Sequence, residues 1–175
     1  VRWVVGEKPE LGKYEGIDGL KELVFKPLKT YADNVGKTTR ADVNPNFIAP
    51  RMFMMRMQKI MDEYCGGVTA QFCTSQKMLD KGRILMDFLN EDAAKPGAED
   101  LHELMRAWEN VHRMYQAEAH MRAVEFREET RWPGYYFRND FPKKDDDNWL
   151  CFVNVRMDPV SEEWEAKKVP LTYIS

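Results

Sequence analysis

Arg127, Arg131 and Arg138 fall within a dozen residues, REETRWPGYYFR, that also hold Trp132, Tyr135, Tyr136 and Phe137. A guanidinium forks onto carboxylates and stacks on rings, and arginine with aromatics is the composition that protein interfaces favour. A helix stop needs only the Pro133-Gly134 pair. The other groups either pack the helix end against its own chain or meet another protein surface. Arg127 and Arg131, four residues apart, are expected on one helical face, and Glu128 and Glu129 can pair with neighbours. Arg127, Arg131, Trp132, Tyr135, Arg138 and, further on, Trp149 are therefore the candidate interface residues. Rings and arginines can also stack on single-stranded bases. Against that stands the balance of 26 Lys+Arg to 29 Asp+Glu, net −3, where phosphate binding calls for a basic excess.

No other spacing in the chain assembles catalytic chemistry. Val35-Gly36-Lys37-Thr38 has the tail of a phosphate loop, but Tyr31 stands where its first glycine belongs and no strand leads in. His102, His112 and His120 share one long helical stretch; His112 and His120 lie two turns apart, too far to share a metal. His112, between Trp108 and Tyr115, is expected as a hydrogen-bonded core imidazole. Cys65, Cys73 and Cys151 are odd in number with no CxxC spacing, so free thiols in a reducing cytoplasm are expected and no metal site is. The run Lys143-Lys144-Asp145-Asp146-Asp147 is expected as a solvated loop, with Asp147 or Asn148 capping the next element. No catalytic, cofactor-binding or metal-binding residue is assigned.

Those side chains need elements to hold them. Phe53, Met57, Ile60, Met61 and Tyr64 recur at i, i+4, i+7, i+8 and i+11, which predicts an amphipathic helix opened by Pro50 and stopped by Gly66-Gly67. Met52, Met54 and Met55 widen its apolar face, as if that half were covered on two sides. A second helix is expected over 75–94, with Met78, Gly82, Leu85 and Leu89 in line and Gly82 admitting a neighbouring backbone. The longest is expected over about 98–129, striped by Leu101, Leu104, Trp108, Val111, Tyr115 and Ala119. Residues 150–157 then alternate, with Cys151, Val153, Val155 and Met157 on one side. Asp158-Pro159 turns the chain and 164–169 returns, a hairpin that needs a surface to rest on.

The fold expected is mainly α: a bundle of about four helices, one of them long, then a C-terminal β-hairpin and irregular segment. Residues 1–45 form a poorly patterned lead-in whose helix is kinked at Pro27, 46–132 the bundle, and 133–175 the arginine-aromatic turn, acidic loop and hairpin. No apolar run approaches the roughly 20 residues a membrane span needs. The first residue is Val1, without an initiator Met, which points to a piece of a longer polypeptide.

The stretch AEDLHELMRAWENVHRMYQAEAHMRAVEFREETRWPGYYFRNDFPKKDDDNWLCFVN resembles the C-terminal region of adenylylsulfate reductase α subunits. So do DVNPNFIAPRMFMMRMQKIMDEYCGG before it and DPVSEEWEAKKVPL after it. Its most specific points are Arg127-Glu128-Glu129, Pro133-Gly134-Tyr135, Arg138 and Asp146 to Trp149. More distantly the chain resembles the C-terminal helical domain of succinate dehydrogenase and fumarate reductase flavoproteins. The resemblance implies a large FAD enzyme that interconverts adenylylsulfate with AMP and sulfite. It also implies an FAD-binding domain earlier in the same polypeptide and an iron–sulfur β subunit as partner. This chain would be the support domain, holding neither FAD nor catalytic residues itself. The other class open to it is a free-standing helical interaction module.

Overall fold

The structure, a computed structural model, describes residues 48–93, 97, 98, 100–131, 136–158 and 160–171, together with Glu22 and Phe25. The kinked lead-in helix, apart from those two exposed helical residues, lies outside the described residues. So do Trp132, Pro133, Gly134 and Tyr135.

Helix α1 (Pro50–Tyr64) begins on a proline, which costs no bond because a first-turn N–H has no partner within the helix. Phe53, Met57 and Ile60 are its buried stripe. The stop falls at the glycines, Gly66 turning the chain at φ +81. Met52 and Met55 are about half exposed, so among the described residues no second layer covers this end, contrary to the sequence expectation. After the two-residue strand β1 (Cys73–Thr74), helix α2 (Gln76–Asp92) buries Leu79, Gly82, Met86 and Leu89. The expected Met78 and Leu85 flank that line, half-buried. A Cβ on Gly82 would lie 2.9 Å from the Cβ of Tyr64 and 3.2 Å from Cε of Met121. The glycine thus makes room for side chains of both neighbouring helices, not for a backbone.

Helix α3 (Leu101–Phe126) is capped by Asp100, whose carboxylate accepts the Glu103 N–H at 2.8 Å. Its 26 residues run about 39 Å at 1.5 Å each. Its buried face holds Ala107, Asn110, Val111, Met114, Met121 and Val124. Among the described side chains, Val111 alone belongs to the stripe read from the large hydrophobics. Asn110 is buried because its carboxamide donates to the Pro50 carbonyl at 2.7 Å, tying α3 to the start of α1. Trp108 stays partly exposed with its ring 5.6 Å from that of His112. His112 is exposed and not the core imidazole its neighbours suggested. The three helices share one core, built around Phe53, Leu79, Met86, Met114 and Met121. The Arg56–Asp92 ion pair and the Tyr64–Gly82 approach set α2 antiparallel to α1.

Strand β2 (Phe137–Arg138) pairs parallel with β1, Thr74 opposite Arg138. The short helix α4 (Asp146–Trp149) comes next, then the hairpin of β3 (Cys151–Met157) and β4 (Trp164–Pro170). The antiparallel register runs from Cys151↔Pro170 to Met157↔Trp164. Cys151, Val153, Val155 and Met157 are half-buried while Phe152, Asn154 and Arg156 face outward, the expected alternation. Asp158 builds the turn by accepting the Val160 and Ser161 N–H groups at 2.8 and 2.9 Å. The hairpin rests on α3, with Arg122 over the Trp164 ring at 5.4 Å. Among the described residues no helix is long and apolar enough to cross a membrane.

Candidate functional site

Where α3 ends, its last carbonyls lose their helical partners. Arg138 supplies the missing donors. Its Nη1 reaches the carbonyls of Val124 at 2.6 Å, Glu125 at 3.2 Å and Arg127 at 3.2 Å. Its Nε and Nη2 fork onto Asp140, each at 2.8 Å. Asp140 in turn accepts the Gln76 N–H at 2.7 Å, the first N–H of α2. A cation therefore sits on the negative end of one helix and a carboxylate on the positive end of another, both favourable to the helix dipoles. Arg138 is wholly buried. The buried Thr130 completes this corner: its hydroxyl takes the Arg138 N–H at 3.0 Å and gives to the Phe141 carbonyl at 2.8 Å.

A second carboxylate centre lies just beyond the helix. Arg127 is the C-cap and leaves helical geometry at ψ 106, so Arg127 and Arg131 do not share a helical face as an i, i+4 pair would. They meet instead on the wholly buried Glu129. Arg127 Nη1 and Arg131 Nε both donate to its Oε1, while Arg131 Nη2 and the Asp145 N–H take its Oε2 at 3.0 and 2.9 Å. Arg127 also reaches the carbonyls of Trp149 at 2.9 Å and Cys151 at 2.7 Å, which binds the start of the hairpin. Arg131 reaches Asp146 at 2.9 Å. Trp149 is buried with its ring edge-on to Phe126, and the Lys168 ammonium lies 3.5 Å from its centroid. Asp145, rather than Asp147 or Asn148, caps α4 by accepting the Asn148 N–H. The other residues of the charge run are exposed.

Of the six candidate interface residues, the structure brings Arg127, Arg131, Arg138 and Trp149 into this one node. Trp132 and Tyr135 lie outside the described residues. The sequence offered Glu128 and Glu129 as partners for their neighbours, and Glu129 is the one that takes both arginines. Asp140 and Thr130 it did not single out, although Asp140 stands two residues after the third arginine.

Burial pushes the Glu129 carboxyl up, but the bonds from Arg131, the Asp145 N–H and Arg127 outweigh it and hold it below the usual carboxylate range. The Arg138 hydrogen bond brings Asp140 down to about 2, against some opposing burial. Burial pushes the Cys65 thiol up to about 12, leaving it protonated and unreactive at neutral pH. A node of permanently charged partners moves no proton near pH 7. Its chemistry is fixation: it fastens the end of α3, the start of α2 and the hairpin to one another. Among the described residues no group of three His, Cys, Asp or Glu could hold a metal.

The Asp140 carboxylate makes stability depend on acid. A depressed carboxylate contributes stability that is complete above its unfolded value and is lost as pH falls through its folded value. For Asp140 that window runs from about 4 down to about 2. Its side chain is 26% exposed, and discounting for solvent leaves about 1 kcal/mol at stake. Urea unfolding at pH 7 and pH 3, midway through that window, should show about 0.5 kcal/mol less pH dependence in D140N than in the parent.

The sequence profile of the family described as "Fumarate reductase flavoprotein C-term" matches residues 54–174. The adenylylsulfate reductase subunit alpha of Megalodesulfovibrio gigas is 44% identical over 171 residues, which is 97% of this chain and 26% of that protein. Among solved structures, the adenylylsulfate reductase of the hyperthermophile Archaeoglobus fulgidus superposes with a TM-score of 0.81 at 43% identity, over 98% of this chain and 27% of that one. An adenosine-5-phosphosulfate reductase in complex with sulfite, a covalent adduct, gives 0.80 at 43% identity over the same shares. The chain thus spans about a quarter of the length of these relatives.

Proposed function

Because this chain belongs to the family of fumarate reductase flavoprotein C-terminal domains, we propose that it is the C-terminal helical part of an adenylylsulfate reductase α subunit. The observation that carries this is the 44% identity across 97% of the chain to such a subunit. In the reaction proposed for the whole protein, the bond between sulfur and the phosphate oxygen of adenylylsulfate breaks. Two electrons reduce the sulfur to sulfite and AMP leaves; the reverse direction uses the same site. FAD would be held by the part of the polypeptide that precedes this chain, and the electrons would come from an iron–sulfur β subunit. The reaction belongs to the cytoplasm.

The described residues do not themselves fit FAD. A dinucleotide needs a glycine-rich turn from a parallel strand into a helix. The one parallel pairing described here is two residues long, and β1 passes to α2 through Ser75 without a glycine. Their part is support. Arg127, Arg131 and Arg138 direct most of their donors to partners within the chain, so they act on an interface by fixing its shape. The surface they would fix is that of the hairpin, whose start Arg127 holds through the Trp149 and Cys151 carbonyls.

The test is the native polypeptide that yields the peptide REETRWPGYYFR. A mass several times that of 175 residues, flavin absorbance and adenylylsulfate-dependent release of AMP and sulfite are expected. A colourless native protein of about this length would overturn the reading and leave an interaction module in its place.

A further inference from the structure

A furrow of about 300 Å³ runs along the outer side of α1 and α2. Ile60, Leu85 and Leu89 line it, and Phe88 stands beside them 58% exposed. One turn earlier on α2, Ile84 is 54% exposed. Phe88 on the wall of the furrow and Ile84 at i−4 on the same helix, both open to water, are the pattern of a surface that a partner covers. The ionic rim narrows the partner's chemistry. Arg56 of α1 and Asp92 of α2 bridge the furrow at 3.0 Å, and Lys59 pairs with Glu63 at 3.6 Å. These charges already answer one another, so an occupant that brought its own charge would find no counter-ion and would lose its hydration. The furrow lies between two antiparallel helices, the geometry that accepts the apolar side of a third helix.

The relatives say where such a helix could come from. The whole fold of this chain recurs as about a quarter of their length, leaving some three quarters of each polypeptide to pack around it. We propose that the α1–α2 furrow is the seat of an apolar helix face from the part of the flavoprotein polypeptide outside this chain. Phe88 and Ile84 are the residues it covers. This rests on the α-subunit reading given above.

The experiment uses the complete native polypeptide, with F88C, I84C and N90C made singly and labelled by an uncharged maleimide. Asn90 is exposed on the same helix, does not line the furrow and lies well round the helix from both Ile84 and Phe88, so local unfolding of α2 affects all three thiols alike. Sites of modification are read by peptide mass, which separates them from Cys65, Cys73 and Cys151. The result expected is labelling of the F88C and I84C thiols at least about ten-fold slower than that of N90C, independent of protein concentration. Equal rates in a long, flavin-bearing polypeptide overturn the seat and leave the functional reading intact. Protection that fades on dilution assigns the furrow to a second copy and overturns it as well. A native polypeptide of only about 175 residues removes the α-subunit reading and the seat together.

Discussion

Replacing Arg138 by methionine is expected to cost about 3–5 kcal/mol of stability, the range for removing one partner of a buried, hydrogen-bonded charge pair. Methionine keeps much of the stem's volume, so the loss is one of donors. Three carbonyls, of Val124, Glu125 and Arg127, would face a buried site with nothing to accept from. Asp140 would lose the fork that holds its carboxyl down, while still bound to the first N–H of α2. R138K should recover less than half, because one ammonium cannot serve three carbonyls and a carboxylate in the plane that a guanidinium spans. The check is urea unfolding of the three proteins, with hydrogen exchange across α2 and α3. An R138M loss under about 1 kcal/mol would mean that the carbonyls find other donors and that the cation is no cap.

That cap shows what the sequence could and could not disclose. The periods of α1 and of the hairpin are local, and apolar residues mark them: Phe53, Met57 and Ile60 every three or four, Cys151 to Met157 every two. These were legible. The buried face of α3 was not, because what selects it is the small Ala107, the hydrogen-bonded Asn110 and the unbranched Met114 and Met121. Trp108 and Tyr115, which drew the eye, sit at its margins. Gly82 was legible as a close approach, but whether backbone or side chain approached it depends on how three helices register.

The site divides in the same way. Composition alone placed the arginines, and the likeness of the sequence to its relatives marked Arg127-Glu128-Glu129, Arg138 and Trp149. The wiring was hidden. Helical spacing put Arg127 and Arg131 side by side, whereas the chain leaves the helix at Arg127 and brings the two together through the carboxylate between them. The partners of Arg138 come from the previous helix end and from two residues ahead in a turn. Neither relation has a period that a sequence could display.

Substituting Glu129 should cost as much as substituting Arg138, but elsewhere in the molecule. E129A removes the shared acceptor of two guanidiniums that are less than one-fifth exposed, and leaves the Asp145 N–H unpaired; about 3–5 kcal/mol is expected. E129Q keeps one carbonyl oxygen and the side chain's shape but loses the charge, and should cost about 1–3 kcal/mol. The two corners hold different elements, so their losses should separate. Arg127 without its anchor no longer positions the Trp149 and Cys151 carbonyls, so amide exchange in E129A should rise first in β3 and β4 and in α4. In R138M it should rise first at the end of α3 and the start of α2. A common, uniform rise in both proteins would show that Thr130, which sits between the centres, welds them into one cooperative unit. The hairpin would then have no separate fastening. With distinct patterns, the Glu129 centre fastens the start of the hairpin independently of the Arg138 cap, and the hairpin can adjust to a neighbouring protein surface without loosening the three-helix core.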